Sequence, residues 1–170
     1  MINTSNSLIK KNYFLESGFI FVATKPTIIS TVLGSCVSVC IYDKKRKAGG
    51  MNHFQLPFIN VKHRANARHG NVATIALVRM LINDGSKIKH MEAQVYGGAF
   101  NPQFSIHDIG EENVMAAKKV LARNRIRVVS EDVGGRKGRK VVFNTSTNEI
   151  GVFKVDKLRK GDWYPYEDDR

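Results

Sequence analysis

The sequence predicts an α+β domain of mixed β-sheets. Eight or nine short segments rich in β-branched and aromatic residues are divided by turns rich in glycine, asparagine and charge. Only two segments carry a helical period of apolar residues. The strands come partly as hairpins and partly around those helices, whereas a doubly wound parallel sheet would alternate strand and helix throughout.

Taken in order, residues 1–12 are polar and without period, which reads as a tail. Tyr13 to Val22 reads as a strand, with Gly18 as a turn or bulge. Thr27 to Leu33 (TIISTVL) is a buried strand, interrupted by Gly34-Ser35 and resumed from Val37 to Tyr42. Asp43 to Gly50, with four cations and two glycines, forms a hairpin turn; Met51 to Leu56 returns as a strand and stops at Pro57. A polar loop leads to a helix over about 71–83, whose apolar face is drawn from Val72, Ile75, Ala76, Val78, Met80, Leu81 and Ile82 and which ends at Asp84-Gly85. Met91 to Tyr96 is a strand. A second helix spans about 110–124, with Glu111 and Glu112 at its positive end and Lys118, Lys119 and Arg123 towards its negative end. Arg127 to Glu131, Lys140 to Asn144 and Glu149 to Val155 complete the strands, the last two as a hairpin. In the tail over 157–170, Trp163, Tyr164 and Tyr166 are aromatic groups able to dock.

The 170 residues fit one domain, placed at 13–156. No apolar run approaches the roughly 20 residues a membrane helix needs, and the N-terminus lacks the pattern of a signal peptide. A cytoplasmic, non-inserted protein is expected. The 27 Lys and Arg exceed the 15 Asp and Glu by 12, a balance that favours polyanionic partners. Lys44 to Lys47 form one basic run, and Arg123 to Lys140 a looser one, either solvated or facing a partner. There is no phosphate-binding loop, no G-x-G-x-x-G, no G-x-S-x-G elbow and no aromatic RNA-binding strand motif. Charge is thus the only support for a nucleic-acid binder, and none is expected.

Two cysteines four residues apart form neither a disulfide framework nor a zinc site. Cys40, inside VSVCIY, reads as a small buried hydrophobe. Cys36 follows Gly34-Ser35 between two strands, where a sharp turn can gather N–H groups in one concavity. A thiol there meets the needs of acyl transfer, a nucleophile with oxyanion donors beside it, although a packed turn is the ordinary role of such a triplet. Of the five histidines, His53 alone lies inside an apolar strand, and the hairpin folds that strand back beside Cys36. A core histidine is the competing reading.

Together the residues resemble a known family. TVLGSCVSVCIYD followed by GGMNHFQLP resembles CheD, the chemoreceptor glutamine deamidases of bacterial chemotaxis. RHGNVA, YGGA at 96–99, IGEENV at 109–114 and EDVGGRKGRKVVFN at 131–144 continue the likeness in order over about residues 14–155. The resemblance implies a sandwich of mixed sheets flanked by helices, shared with cysteine-dependent toxin deamidases. It implies a Cys-His-Thr set that falls on Cys36 and His53. The third position, six residues before the cysteine, falls on Ser30, where the family has Thr. Thr31 is adjacent, and neighbouring strand residues face opposite ways.

On this reading Cys36 attacks a receptor glutamine, His53 moves the proton, and N–H groups around Gly34 and Ser35 hold the oxyanion. The resemblance implies no metal and no cofactor. It implies as substrate the cytoplasmic helical domain of chemoreceptors, extends the chemistry to receptor glutamate methyl esters, and adds a chemotaxis response-regulator phosphatase as second partner. A non-catalytic adaptor for that phosphatase, disabled by the Ser30 change, is the alternative. The basic excess is expected to steer the enzyme to acidic helices, with Lys44 to Lys47 near the site.

Overall fold

A computed structural model describes residues 11–157. Trp163, Tyr164 and Tyr166 lie outside the described residues, as do most of both terminal segments. The order is β1 (Lys11–Phe14), β2 (Ile20–Val22), β3 (Thr27–Leu33), β4 (Val37–Asp43), β5 (Ala48–Asn52), α1 (Gly70–Asn83), β6 (Met91–Gly97), α2 (Ile109–Arg123), β7 (Arg127–Val133), β8 (Gly138–Asn144) and β9 (Ile150–Val155). One sheet has four strands, β1-β3-β8-β9; the other has five, β2-β5-β4-β6-β7. Both are mixed, with β1 parallel to β3, β6 parallel to β7 and the other pairs antiparallel. No helix among the described residues is long and apolar enough to cross a membrane.

The alternation of side chains along each strand sorts the core into two layers. Ile29, Leu33, Val141 and Phe143 of the four-stranded sheet meet Cys40, Met51 and Tyr96 of the five-stranded one. Val37, Val39, Ile41, Ala93 and Val95 point the other way, onto Ala73, Leu77 and Leu81 of α1 and Val114, Ala117 and Leu121 of α2. Each such side chain contributes on the order of 1.5–3 kcal/mol by leaving water. β4 is buried at every position because both its faces are covered, which is why it reads as a continuous apolar run.

Several boundaries differ from the sequence expectation. The strand expected over 13–22 is two strands in different sheets. The chain crosses between them at Gly18, whose φ of +87° suits a residue without Cβ. β1 also begins at Lys11, inside the expected tail. Gly49 and Gly50 belong to β5, not to the turn; a side chain on them would meet Phe143 and Leu77. β5 stops at Asn52, whose Oδ1 takes the Val39 N–H that a backbone carbonyl would otherwise bond. Pairing continues only as isolated bridges, Val37 to Phe54 and Leu56 to His69. The buried face of α1 is Gly70, Ala73, Thr74, Leu77, Val78 and Leu81; Met80 and Ile82 are each 40% exposed, since the helix touches the sheet along a narrower stripe than the apolar count suggests.

Candidate active site

The register between β4 and the β5 segment fixes where Cys36 and His53 stand. Cys40 faces Met51, and Val37 exchanges both backbone hydrogen bonds with Phe54. Continued one residue beyond that bridge, the register sets Cys36 opposite Gln55 and diagonal to His53 on the same side of the sheet. Diagonal partners of this kind stand about 7–8 Å apart. That side is the one facing the other sheet, where Cys36 packs against the cluster holding Cys40 and Met51.

His53 is buried, 2% exposed. Its N–H donates to the Phe19 carbonyl at 3.1 Å and its carbonyl accepts from the Gly18 N–H at 2.7 Å, so the crossover segment fixes its backbone. Its Nδ1 is 2.8 Å from Thr31 Oγ1. Thr31 Oγ1 donates its only proton to the Leu15 carbonyl at 2.6 Å. The threonine oxygen can therefore only accept from His53, and Nδ1 carries the hydrogen. Nε2 is left with a free lone pair, buried and without a hydrogen-bond partner among the described residues. Burial in this setting lowers the His53 pKa to about 4, partly opposed by the Leu15 backbone.

Of the two hydroxyls at the expected third position, the structure brings Thr31 and not Ser30 to the imidazole. Ser30 does not reach His53. Its strand neighbour Thr31 does, because Thr31 shares the inward face with Ile29 and Leu33 while Ser30 points to the other face of β3.

Burial pushes the Cys36 thiol up; the nearby Ser17 hydroxyl and the residue's own N–H pull it back in part, although that hydroxyl completes no hydrogen bond in the resting site. The thiol and the imidazole thus both rest neutral. Cys40 is wholly buried and its thiol is raised further, as expected for an inert core side chain.

The turn before Cys36 is held by its carbonyls. The Cys36 carbonyl accepts from Gly98 N–H at 2.8 Å and the Gly34 carbonyl from Ala99 N–H at 2.9 Å. Asn113 Nδ2 donates to the Ser35 carbonyl at 3.0 Å. Among the described residues no carbonyl accepts the N–H groups of Gly34, Ser35 or Cys36. Gly97 makes the close approach possible: its φ is +111°, and a Cβ there would fall 2.2 Å from the Cys36 carbonyl. A cleft of about 380 Å³ opens beside Gly34 and Ser35, lined also by Phe104, His107, Arg136 and Lys157. A larger one, about 670 Å³, runs along α2 past Glu111 and Met115 and includes none of these turn residues.

The basic clusters fall elsewhere than expected. Lys44 to Lys47 lie beyond the far end of β4, eight residues or more from Cys36 and roughly 25 Å at strand rise. Lys44 pairs with Glu92 at 3.6 Å and Arg46 with Asp84 at 2.9 Å. In the second stretch Arg139 is no surface cation: 1% exposed, it bonds Asp132 and the Gly134 carbonyl and ties β7 to β8.

Comparison with known proteins gives the family. The family model for CheD chemotactic sensory transduction matches residues 56–154. A probable chemoreceptor glutamine deamidase CheD of Sulfurimonas denitrificans is 36% identical over 147 residues, covering 85% of this chain and 94% of that protein. One of Trichlorobacter lovleyi is 40% identical over 152 residues, covering 88% and 94%. A third, of Anaeromyxobacter dehalogenans, is 43% identical over 141 residues, covering 82% of each. The family model over more than half of the chain and these relatives along most of its length show that this chain, with its thiol and histidine on one inward face, belongs to the CheD family.

Proposed function

We propose that this chain is a protein-glutamine deamidase that converts glutamines of chemoreceptor helices to glutamate. The observation that carries the reading is the imidazole whose Nδ1–H is fixed by Thr31, leaving Nε2 bare on the face it shares with Cys36. A neutral thiol needs such a base, and a neutral imidazole is one.

As Cys36 Sγ bonds to the side-chain amide carbon, its proton passes to His53 Nε2. The carbonyl oxygen becomes an oxyanion facing the N–H groups of the Gly34–Cys36 turn, to which no backbone carbonyl is bonded among the described residues. The C–N bond then breaks, and the imidazolium gives its proton to the departing ammonia. Water, deprotonated by the same Nε2, attacks the thioester; the C–S bond breaks, glutamate leaves and the thiol is restored. Thr31 stays bonded to Nδ1–H throughout and steadies the imidazolium. A receptor methyl ester enters the same thioester with methanol as leaving group. The names of the relatives support the chemoreceptor as substrate, and the family likeness adds the phosphatase as a second partner. The two-sheet core with helices on one outer face is consistent with the toxin-deamidase sandwich. The adaptor alternative rested on the loss of threonine at position 30; with Thr31 bonded to His53, that motivation falls away.

The test is mass spectrometry of a receptor cytoplasmic fragment incubated with the wild-type chain and with Cys36→Ala. Amide-to-acid conversion at discrete glutamines by the wild type alone is the expected result. An unmodified fragment, or equal conversion by the variant, overturns the reading.

A further inference from the structure

Two of the three carbonyls in the Gly34–Ser35–Cys36 turn are held by backbone N–H groups after β6, but the Ser35 carbonyl is held by a side chain. Asn113, on α2, is fully buried. Its Nδ2 donates both hydrogens, to Ser35 O at 3.0 Å and to Gln55 O at 2.9 Å. One amide thus spans the nucleophile turn and the segment that carries His53. The helix is seated for this reach: a Cβ on Gly110 would fall 2.4 Å from the Gly98 carbonyl, so α2 lies directly against the end of β6 just before Asn113.

The Ser35 carbonyl and the Cys36 N–H belong to one planar, trans peptide unit and point in opposite directions. Fixing the first fixes the second. That N–H is the donor on the nucleophile's own residue, a position from which acyl-transfer sites draw an oxyanion donor. Nothing lies within 4 Å of where a side chain on Gly34 would sit, so that residue is not held by side-chain packing, and the carbonyl hydrogen bonds carry much of the turn's support. Asn113 Oδ1, meanwhile, is buried with no hydrogen-bond partner among the described residues. An amide with one end unsatisfied is a costly way to fill a core, so packing alone gives no reason for asparagine there.

We propose that Asn113 is a positioning residue whose side-chain amide holds the Ser35–Cys36 peptide so that the Cys36 N–H faces the developing oxyanion. This rests on the deamidase reading above. Without the amide the Ser35–Cys36 peptide loses the one bond to its own carbonyl, the N–H loses its aim, and the barrier to thioester formation rises while substrate binding does not change.

The test compares wild type, Asn113→Ala and Asn113→Ser in the full chain, on a receptor fragment and with iodoacetamide. Alkylation of Cys36 is displacement at a saturated carbon and forms no oxyanion. In Asn113→Ala, kcat should fall by up to about 10²- to 10³-fold, the range for losing one oxyanion donor, with KM and the alkylation rate close to wild type. Asn113→Ser, which keeps one small donor, should recover part of kcat. Wild-type kcat in Asn113→Ala, or alkylation falling in step with turnover, overturns the proposal. Should the alanine variant not fold, Asn113→Ser measured below its unfolding temperature decides by the same split between kcat and alkylation. Wild type run alongside keeps the two readings apart: no turnover there sinks the deamidase reading itself.

Discussion

Thr31 Oγ1 lies 2.8 Å from His53 Nδ1 while giving its own proton to the Leu15 carbonyl at 2.6 Å. The second bond decides the direction of the first. A backbone carbonyl in the crossover between β1 and β2 thereby selects the tautomer of a histidine on the opposite sheet. The same crossover holds the His53 backbone through Gly18 and Phe19 and brings the Ser17 hydroxyl to the thiol. The tautomer of His53 is thus set from the crossover between β1 and β2, well before Cys36 along the chain.

Thr31→Val should therefore lower turnover by at least about tenfold, as expected when the base loses its orienting partner. It should also cost roughly 1–3 kcal/mol of stability by leaving the buried Leu15 carbonyl unpaired. Thr31→Ser keeps the hydroxyl and should retain most activity. Ser30→Ala should be mild. Ammonia release and thermal unfolding of the three variants check this; a severe Ser30→Ala beside a silent Thr31→Val would return the role to Ser30.

The low His53 pKa has a signed consequence. In the unfolded chain the ring titrates near 6.5, in the folded one near 4. Between those values the unfolded state binds the extra proton, so stability is complete above about pH 6.5 and is lost as pH falls towards 4. The loss approaches roughly 3 kcal/mol. His53→Gln should flatten that part of the stability curve in denaturant titrations at several pH values. The acid limb of kcat/KM should likewise fall below pH 5; an acid limb near 6.5, together with a stability curve between pH 4 and 6.5 that His53→Gln leaves unchanged, would contradict a neutral buried base.

The two cysteines should separate cleanly. Cys36→Ala should abolish turnover, since no other group can form the thioester. Cys40→Ala should keep turnover and cost roughly 1 kcal/mol for the small cavity it leaves in the core. Inactivation by Cys40→Ala with the fold intact would move the nucleophile.

Gly97→Ala tests the support beneath the turn. Its Cβ would collide with the Cys36 carbonyl from a backbone conformation that L-residues rarely adopt. The turn must shift, and turnover should fall together with about 1–3 kcal/mol of stability. A variant as stable and active as wild type would show that the close approach of β6 is dispensable.

Steering by charge now has a different address. Reversing Lys44 to Lys47 to Glu should leave the salt dependence of turnover nearly unchanged, because that turn sits at the far end of β4. Reversing Arg136 and Lys157, which line the cleft beside Gly34 and Ser35, should lower the second-order rate on an acidic receptor fragment and flatten its fall with salt. Initial rates at several ionic strengths decide; equal salt slopes for wild type and the Arg136, Lys157 variant would leave the charge as a solvated surface.

Much of this was legible in the chain itself. The class of fold followed from strand-like runs and two helical periods, and the placing of Cys36 and His53 on one face from a glycine turn and a hairpin that folds the histidine's segment back beside it. Local pattern suffices there because each signal lies within one element or one turn. Which residue of Ser30 and Thr31 faces inward did not follow. In TIISTVL both phases carry apolar side chains, Ile28 and Val32 on one and Ile29 and Leu33 on the other, so alternation fixes no face until a second sheet packs on it. The split of residues 13–22 between two sheets, the distance of Lys44 to Lys47 from the site, the burial of Arg139 and the reach of Asn113 to Ser35 are likewise facts of packing. They join residues far apart along the chain, and only the closing of the two sheets against each other and against α2 brings those residues together.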